Sequence, residues 1–345
     1  MAQIDKPNLH FNPVKFTGNA STNAITGVGF QPDWTWLKNL DAANSHSMFD
    51  AVRGVTKNLV SNTNAAESTN SNGLTAFGTD GFTVGSDTDV NGNGNGIISW
   101  NWKANGQGSA NTQGTTNSTY TSANTTAGFS IVKYTGTGAG ATVGHGLGVK
   151  PKVIFFKNLS ANANWVFQST LLANRTQLVL NSTDTQTTDS RLANLDSWST
   201  TLFSLGTYAD MNENNSQHIA FVFAEKKGYS KFGLYTGNGD ASAGPFVYLG
   251  FKPAFVMVKR LQATGNSWRM FDNKRDGING KNGNLHANLA NAEDAPSDGF
   301  IDLLSNGFKP RTTSTDQNAD GGTYFFMALA ENPIVGSNGI PAVGR

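Results

Sequence analysis

The chain of 345 residues contains no cysteine. That excludes a disulfide framework and thiolate chemistry. For a loop-rich chain it also points towards assembly in a reducing compartment. Charge is the second scarcity. Asp, Glu, Lys and Arg make up 14% of the residues, well under the usual quarter, and balance to a formal net charge of +1. No run of Lys and Arg is longer than the pair Lys226 and Lys227. A nucleic-acid partner requires a basic patch that neutralises phosphates, so none is expected. Long apolar runs are missing too. The longest, Tyr324 to Ala330, falls far short of the ~18 residues a membrane helix needs, and no membrane insertion is expected. Met1 to His10 carries no apolar core and does not read as a signal peptide.

What fills the chain instead is Asn, Ser, Thr and 39 glycines, set in a pattern that occurs three times. Phe16-Thr17-Gly18-Asn19, Tyr134-Thr135-Gly136-Thr137 and Tyr235-Thr236-Gly237-Asn238 open the copies. The proline of a Gly-x-x-Pro element follows 16 to 18 residues later: Gly29 to Pro32, Gly148 to Pro151, Gly250 to Pro253. Further anchors keep register: Phe49, Phe167 and Phe271, then Phe82, Phe203 and Phe308. Closing apolar runs are Ile97 to Trp102, Ile219 to Phe223 and Tyr324 to Leu329. Each copy is of ordinary domain size and too long for a solenoid repeat.

The local code is β. Short aromatic and β-branched runs such as Trp34 to Leu37, Val153 to Phe156 and Phe255 to Val258 are bounded by Gly, Asn, Asp and Pro. The proline-led runs are apolar on both faces in the second and third copies, as in strands covered on both sides. The one short helical candidate is Ala51 to Leu59, interrupted by Gly54. The pattern predicts an all-β fold of three tandem homologous antiparallel β-sandwich (jelly-roll-like) domains, not one large core. The expected boundaries are 1–106, an Asn/Ser/Thr/Gly-rich linker at 107–127, then 128–230, 231–333 and an extended tail at 334–345. The second and third units, lacking a linker between them, are expected to pack as a rigid pair.

Seven tryptophans in a neutral, Asn-rich chain suggest a sugar-stacking platform, but the repeat supplies a control. Trp34 aligns with Val153 and Phe255, Trp36 with Phe155 and Met257, Trp100 with Phe221 and Met327, Trp102 with Phe223 and Leu329. Trp165 and Trp268 align with each other and with His46, and Trp198 with Phe77 and Leu303. Apolar columns of this kind predict core packing. Sugar binding would then rest on loops.

Asp87 to Asn93 alternates oxygen donors like the start of a calcium loop, but its twelfth position is Ile98 where a bidentate Glu is needed. Asp210 to Asn215 and Asp316 to Asp320 lack the spacing, so a polar hairpin loop is the better reading. Asp50 and Arg53 recur as Asp272 and Arg275, before Asp276 and Gly277, with Gln168 and Leu171 in the second copy; a local ion pair is expected. His10, His46, His145, His218 and His286 show no metal-ligand spacing. Nucleophile-elbow, phosphate-loop and zinc-protease motifs do not occur. No catalytic residue, cofactor or metal is expected.

Several motifs in order resemble an uncharacterised repeat domain widespread in marine tailed-phage genomes. They are Gly29-Phe30-Gln31-Pro32-Asp33-Trp34-Thr35-Trp36-Leu37-Lys38-Asn39, Phe49 to Gly54, Ser99 to Asn105, Gly144 to Leu147, Gly228 to Gly233, Tyr235 to Gly239, Ser305 to Lys309 and Ala328 to Pro333. The resemblance implies a virion structural protein, tail-fibre-like and without catalytic residues. It would stand at the virion surface after assembly in the host bacterial cytoplasm. The expectation is a non-enzymatic, tail-associated fibre or adhesin whose loops contact host-surface glycan. Its implied partners are other virion proteins and further copies of itself in a homo-oligomer. Capsid decoration or a head fibre is the alternative, and a virion-borne glycan depolymerase the second alternative.

Overall fold

The computed structural model describes residues 3–275, 279, 283–294 and 300–335. The architecture is all-β and β-sandwich-like, and its strand ladders are antiparallel. Three large sheets share one strand order. In the first, Phe11–Thr17, Gly96–Trp102, Trp34–Asn39 and Ser47–Asp50 lie side by side. The second repeats this with Phe129–Thr135, Gln217–Phe223, Val153–Asn158 and Val166–Ser169, and the third with Ser230–Thr236, Thr323–Pro333, Phe251–Arg260 and Arg269–Asp272. Register matches residue by residue: Trp34 opposes Trp102, Val153 opposes Phe223 and Phe255 opposes Leu329.

Each large sheet buries both faces, which explains the doubly apolar strands. One face lies under a smaller sheet: Asn23–Ile25, Gly81–Val84 and Leu74–Gly78 in the first segment, Ala141–Gly144 with Leu202–Leu205 in the second, Val247–Tyr248, Gly307–Pro310 and Ile301–Leu304 in the third. Ile154, Phe156 and Val222, for example, pack there on Val143, Phe203 and Leu205. The other faces meet each other. Trp34, Trp36, Trp100 and Trp102 of the first segment share one cluster with Phe155, Phe221 and Phe223 of the second and Phe255, Met257 and Phe325 of the third. Trp34 stacks on Phe221 at 4.3 Å between centroids, and Phe167 meets Phe325 edge-on at 4.8 Å. The expectation of separate cores without a large one is therefore corrected. Three peripheral cores surround a common one, because each inner face presents more aromatic area than its own segment can cover.

The joints close into a ring. The Glu67 amide donates to Leu159 O (3.1 Å), Gln186 to Leu261 O (3.1 Å) and Glu293 to Leu40 O (2.8 Å). These link first to second, second to third and third back to first. Ring nitrogens run the opposite way round: Trp165 Nε1 donates to Val60 O (2.8 Å), Trp268 Nε1 to Val179 O (3.0 Å) and His46 Nε2 to His286 O (2.9 Å). Trp36 Nε1 donates to His46 Nδ1 (2.8 Å), which leaves the proton on Nε2 and makes that histidine a donor like its indole counterparts. The second and third segments thus form no privileged pair.

Both repeated motifs have a backbone cause. Gly29, Gly148 and Gly250 of the Gly-x-x-Pro elements take φ of +86°, +70° and +81°, a region where a Cβ is strained. A Cβ on Gly18, Gly136 or Gly237 would stand 2.1, 2.1 or 2.4 Å from the carbonyl oxygen of Gly92, Glu213 or Ala319. The Thr-Gly step is the close approach of the first strand to the turn before the closing strand.

Two further expectations change. The presumed linker forms strands Ser109–Asn111 and Ser118–Asn124, which extend the second sheet beyond Phe129–Thr135. Strand addition satisfies backbone groups and needs little apolar area, and the buried hydroxyls of Ser118 and Thr121 bond each other at 2.7 Å. Ala51 to Leu59 is not a helix: a turn at Ala51–Arg53 leads through Gly54 (φ +92°) into the short strand Lys57–Asn58. Of the tail expected at 334–345, residues 336–345 lie outside the described residues, and the Ile334 amide donates to Gly250 O (3.2 Å).

Candidate interaction surface

The side chains singled out in the sequence mostly serve the interior. All seven indoles are at most 2% exposed. Asp87 caps the one-turn helix Thr88–Asn91, accepting from the Asp89 amide at 2.7 Å. Asn91 in that turn is fully buried and donates to Ser21 O and Gly85 O (both 2.6 Å); Asn212 and Asn318 make the matching clamps to Ala139 O and Gly206 O, and to Asp240 O and Thr312 O. The alternation of Asp and Asn that mimics a calcium loop is thus a repeated loop clamp. The sequence alone missed it, although Asp-x-Asn occurs in all three copies.

Asp50 and Arg53 form the expected ion pair, as do Asp272 and Arg275 (2.7 Å), but both pairs are buried and part of larger networks. Arg53 also meets Glu67 at 3.3 Å, and Arg275 meets Glu293 at 2.6 Å. Register places Ser169 opposite Val153, as Asp50 is opposite Trp34 and Asp272 opposite Phe255. The second-segment counterparts are therefore Ser169 and Leu172, one residue beyond Gln168 and Leu171. Asp276 and Gly277 lie outside the described residues.

Burial holds the histidines neutral. His145 and His218 are pushed down to about 4 by desolvation, and His286 to about 3 by desolvation and then by Arg269. His46 falls well below its usual range for the same first cause, and His10, half-buried against Tyr229, is lowered more modestly. Among the described residues no group of three or more His, Asp or Glu converges as a metal site would.

Lys38, Lys157 and Lys259 occupy one equivalent position and are fully buried. Lys157 Nζ donates to Ala163 O (2.8 Å), Asn158 O (3.0 Å) and, across the joint, Asn64 O (3.3 Å). Lys38 reaches Asn39 O (2.7 Å) and Ala290 O (3.1 Å) of the third segment, and Lys259 reaches Asn266 O. Desolvation lowers each ammonium to about 8, partly opposed by Asp89, Asp210 and Asp316 respectively. Lys38 and Lys157 bond across joints, Lys259 bonds within its own segment, and all three are buried away from solvent.

The outward feature that departs from the repeat lies on the third segment. Phe246 and Tyr248 are 50% and 52% exposed, the most exposed large apolar side chains among the described residues. Val247 opposes Phe308 as Val143 opposes Phe203 and Ile25 opposes Phe82. Tyr248 therefore replaces Gly144 and Thr26, and Phe246 replaces Thr142 and Ala24. Two sister segments do without these rings, so the fold does not require them. Beside Tyr248 runs a groove of about 480 Å³ lined by Gln3, Glu225, Lys227, Ser230 and Lys231 among others. Lys231 Nζ donates to Tyr248 O (2.9 Å) and lies 5.2 Å from the centre of its ring. An exposed aromatic wall with amide, carboxylate, hydroxyl and ammonium groups along one groove can hold a polar ligand that has an apolar face. A sequence signal existed: aromatics in a column that is otherwise Thr, Gly and Ala.

No curated protein matches the chain. The family model of the domain of unknown function DUF7483 matches residues 6–333 and so spans all three segments. The chain belongs to the DUF7483 domain family.

Proposed function

We propose that this chain is a non-enzymatic virion structural protein, a tail-associated fibre or adhesin built from three tandem jelly-roll-like sandwich domains, which holds host-surface glycan. The observation that carries the binding role is the groove beside Tyr248, where one segment exposes aromatic rings that its sisters replace with Thr, Gly and Ala. A tyrosine face packs against the C–H face of a pyranose, and Gln3, Glu225 and Lys227 can bond its hydroxyls. Placement on a phage particle, among other virion proteins, rests on the motifs Gly29 to Asn39, Phe49 to Gly54 and Ser99 to Asn105.

The test is a glycan array with the full chain and with Tyr248→Ala. Binding to host surface polysaccharide that the variant loses is expected; a blank array ends the adhesin reading. Shortened polysaccharide after incubation would point to a depolymerase instead. One observation favours a second reading, capsid decoration: a ring with three equivalent joints suits a position of local three-fold symmetry. Cryo-electron microscopy of the particle separates the two by density at tail or capsomer.

A further inference from the structure

Each large sheet ends on one strand whose outer edge has no intrinsic partner within the segment, and the three edges are treated differently. In the first segment that strand, Phe11–Thr17, carries Pro13, which lacks an N–H, and its neighbour Asn12 turns its amide onto Gly27 O and Val28 O. In the second, Phe129–Thr135 is covered by Ser118–Asn124 of the same chain. The covering segment also reaches the small sheet: the Thr116 amide donates to Thr142 O (3.0 Å), and Asn111 stands where a Cβ on Gly144 would be. In the third, Ser230–Thr236 pairs with Thr323–Pro333, and beyond a bridge from Ser230 to Lys226 its outer edge meets no covering strand among the described residues. It has no proline. Leu234, 42% exposed, sits where the sister strands have Lys15 and Lys133. Proline and lysine are the usual guards of open edges, and a covering strand is the other. The third edge has lost each of these at the equivalent place. Its one lysine, Lys231, is drawn onto its own Tyr248.

We infer that Ser230–Thr236 is a strand-pairing interface at which two copies of this chain join antiparallel, edge to edge. The occupied edge of the second segment indicates that the surface takes an extended backbone. The residues indicate that a second copy fits. Pairing about Gly233 sets Phe232 against Leu234 and Lys231 against Tyr235 of the other copy, so no like charges oppose. The Phe232 N–H reaches only the Glu225 carboxylate, at 3.4 Å, on the side away from the sheet. By strand alternation Leu234 presents its N–H and C=O on that same side, which is what a two-fold antiparallel ladder through residues 232 and 234 requires. The two Lys231 positions would then lie about 14 Å apart along the strands, with one Tyr248 groove beside each. The inference does not depend on the glycan reading: a blank array leaves it standing, and a monomer leaves the array result standing.

Sedimentation of the full chain over a wide concentration range is the experiment. A reversible dimer is expected. Leu234→Lys, which copies both sister strands and so keeps a residue this fold accepts, is expected to weaken it about tenfold or more. Hydrogen exchange at the Leu234 amide should slow with rising concentration in the wild type and not in the variant. A chain that stays monomeric at millimolar concentration, or a dimer that Leu234→Lys leaves unchanged, overturns the assignment.

Discussion

The first and second segments solve one buried position in opposite ways. Asp50, Arg53 and Glu67 form a charged network against the common core, and the third segment repeats it with Asp272, Arg275 and Glu293. The second has Ser169, Leu172 and Gln186 at the same places, all uncharged. The backbone around them is the same: Glu67, Gln186 and Glu293 each give their amide to the next segment. The fold therefore needs a filled, hydrogen-bonded corner there and does not need charge. A buried ion pair costs desolvation that its attraction only roughly offsets, so a well-packed neutral set can replace it. What the corner cannot accept is half of either solution.

Asp272→Ala should show this most strongly. It leaves the buried Arg275 guanidinium with Glu293 as its one remaining carboxylate and removes an acceptor of the Trp100 indole N–H (3.1 Å), so denaturant unfolding should show a loss of about 3 kcal/mol. A result under 1 kcal/mol would mean the network is decorative.

The buried lysines extend the comparison to pH. Lys157 has a folded value of about 8, below its usual 10.5, because burial disfavours the ammonium. Between these values the unfolded chain binds a proton that the folded chain has released, so stability rises with pH across that window. The gain is fully present above 10.5 and is lost as pH falls through about 8. Relative to Lys157→Met, the wild type should gain about 2–4 kcal/mol between pH 8 and 10.5, measured by urea denaturation at several pH values. A flat difference would refute the burial argument.

Trp165→Phe keeps an aromatic ring, smaller than the indole, and removes the N–H that bonds Val60 O across a joint. A loss of about 1–2 kcal/mol is expected from the unsatisfied carbonyl, without loss of the fold. The smallest effect belongs to the transplant. Asp50→Ser, Arg53→Leu and Glu67→Gln together should change stability by less than about 1.5 kcal/mol, although Asp50→Ser alone costs more than all three combined. If the triple variant is as damaged as the single one, the two solutions are not interchangeable.

Much of the fold was legible because its signals are local. The Thr-Gly and Gly-x-x-Pro motifs mark a close approach and a left-handed turn, both properties of single backbone positions. The doubly apolar strands Val153–Asn158 and Phe251–Arg260 announced two covered faces. The cover on the inner face could not be read, because Phe221 of one segment meets Trp34 of another only once the ring is closed. The column holding His46, Trp165 and Trp268 was visible and read as packing, but its shared property, a ring N–H, matters only across a joint. The aromatic groove was least legible. Phe246 and Tyr248 stand out against Thr, Gly and Ala only once strand register aligns the three segments, and exposure then distinguishes them from the buried rings.

By itself the sequence determined an antiparallel β protein written in three similar segments, since spacing of apolar residues and turn glycines acts within a few residues. Only the tertiary structure decided that the segments share a core, that Ser109–Asn111 and Ser118–Asn124 cover one edge, and that Ser230–Thr236 has no covering strand among the described residues. Those outcomes depend on which surfaces, far apart in the chain, compete for the same partner, and periodicity along the backbone carries no record of that competition.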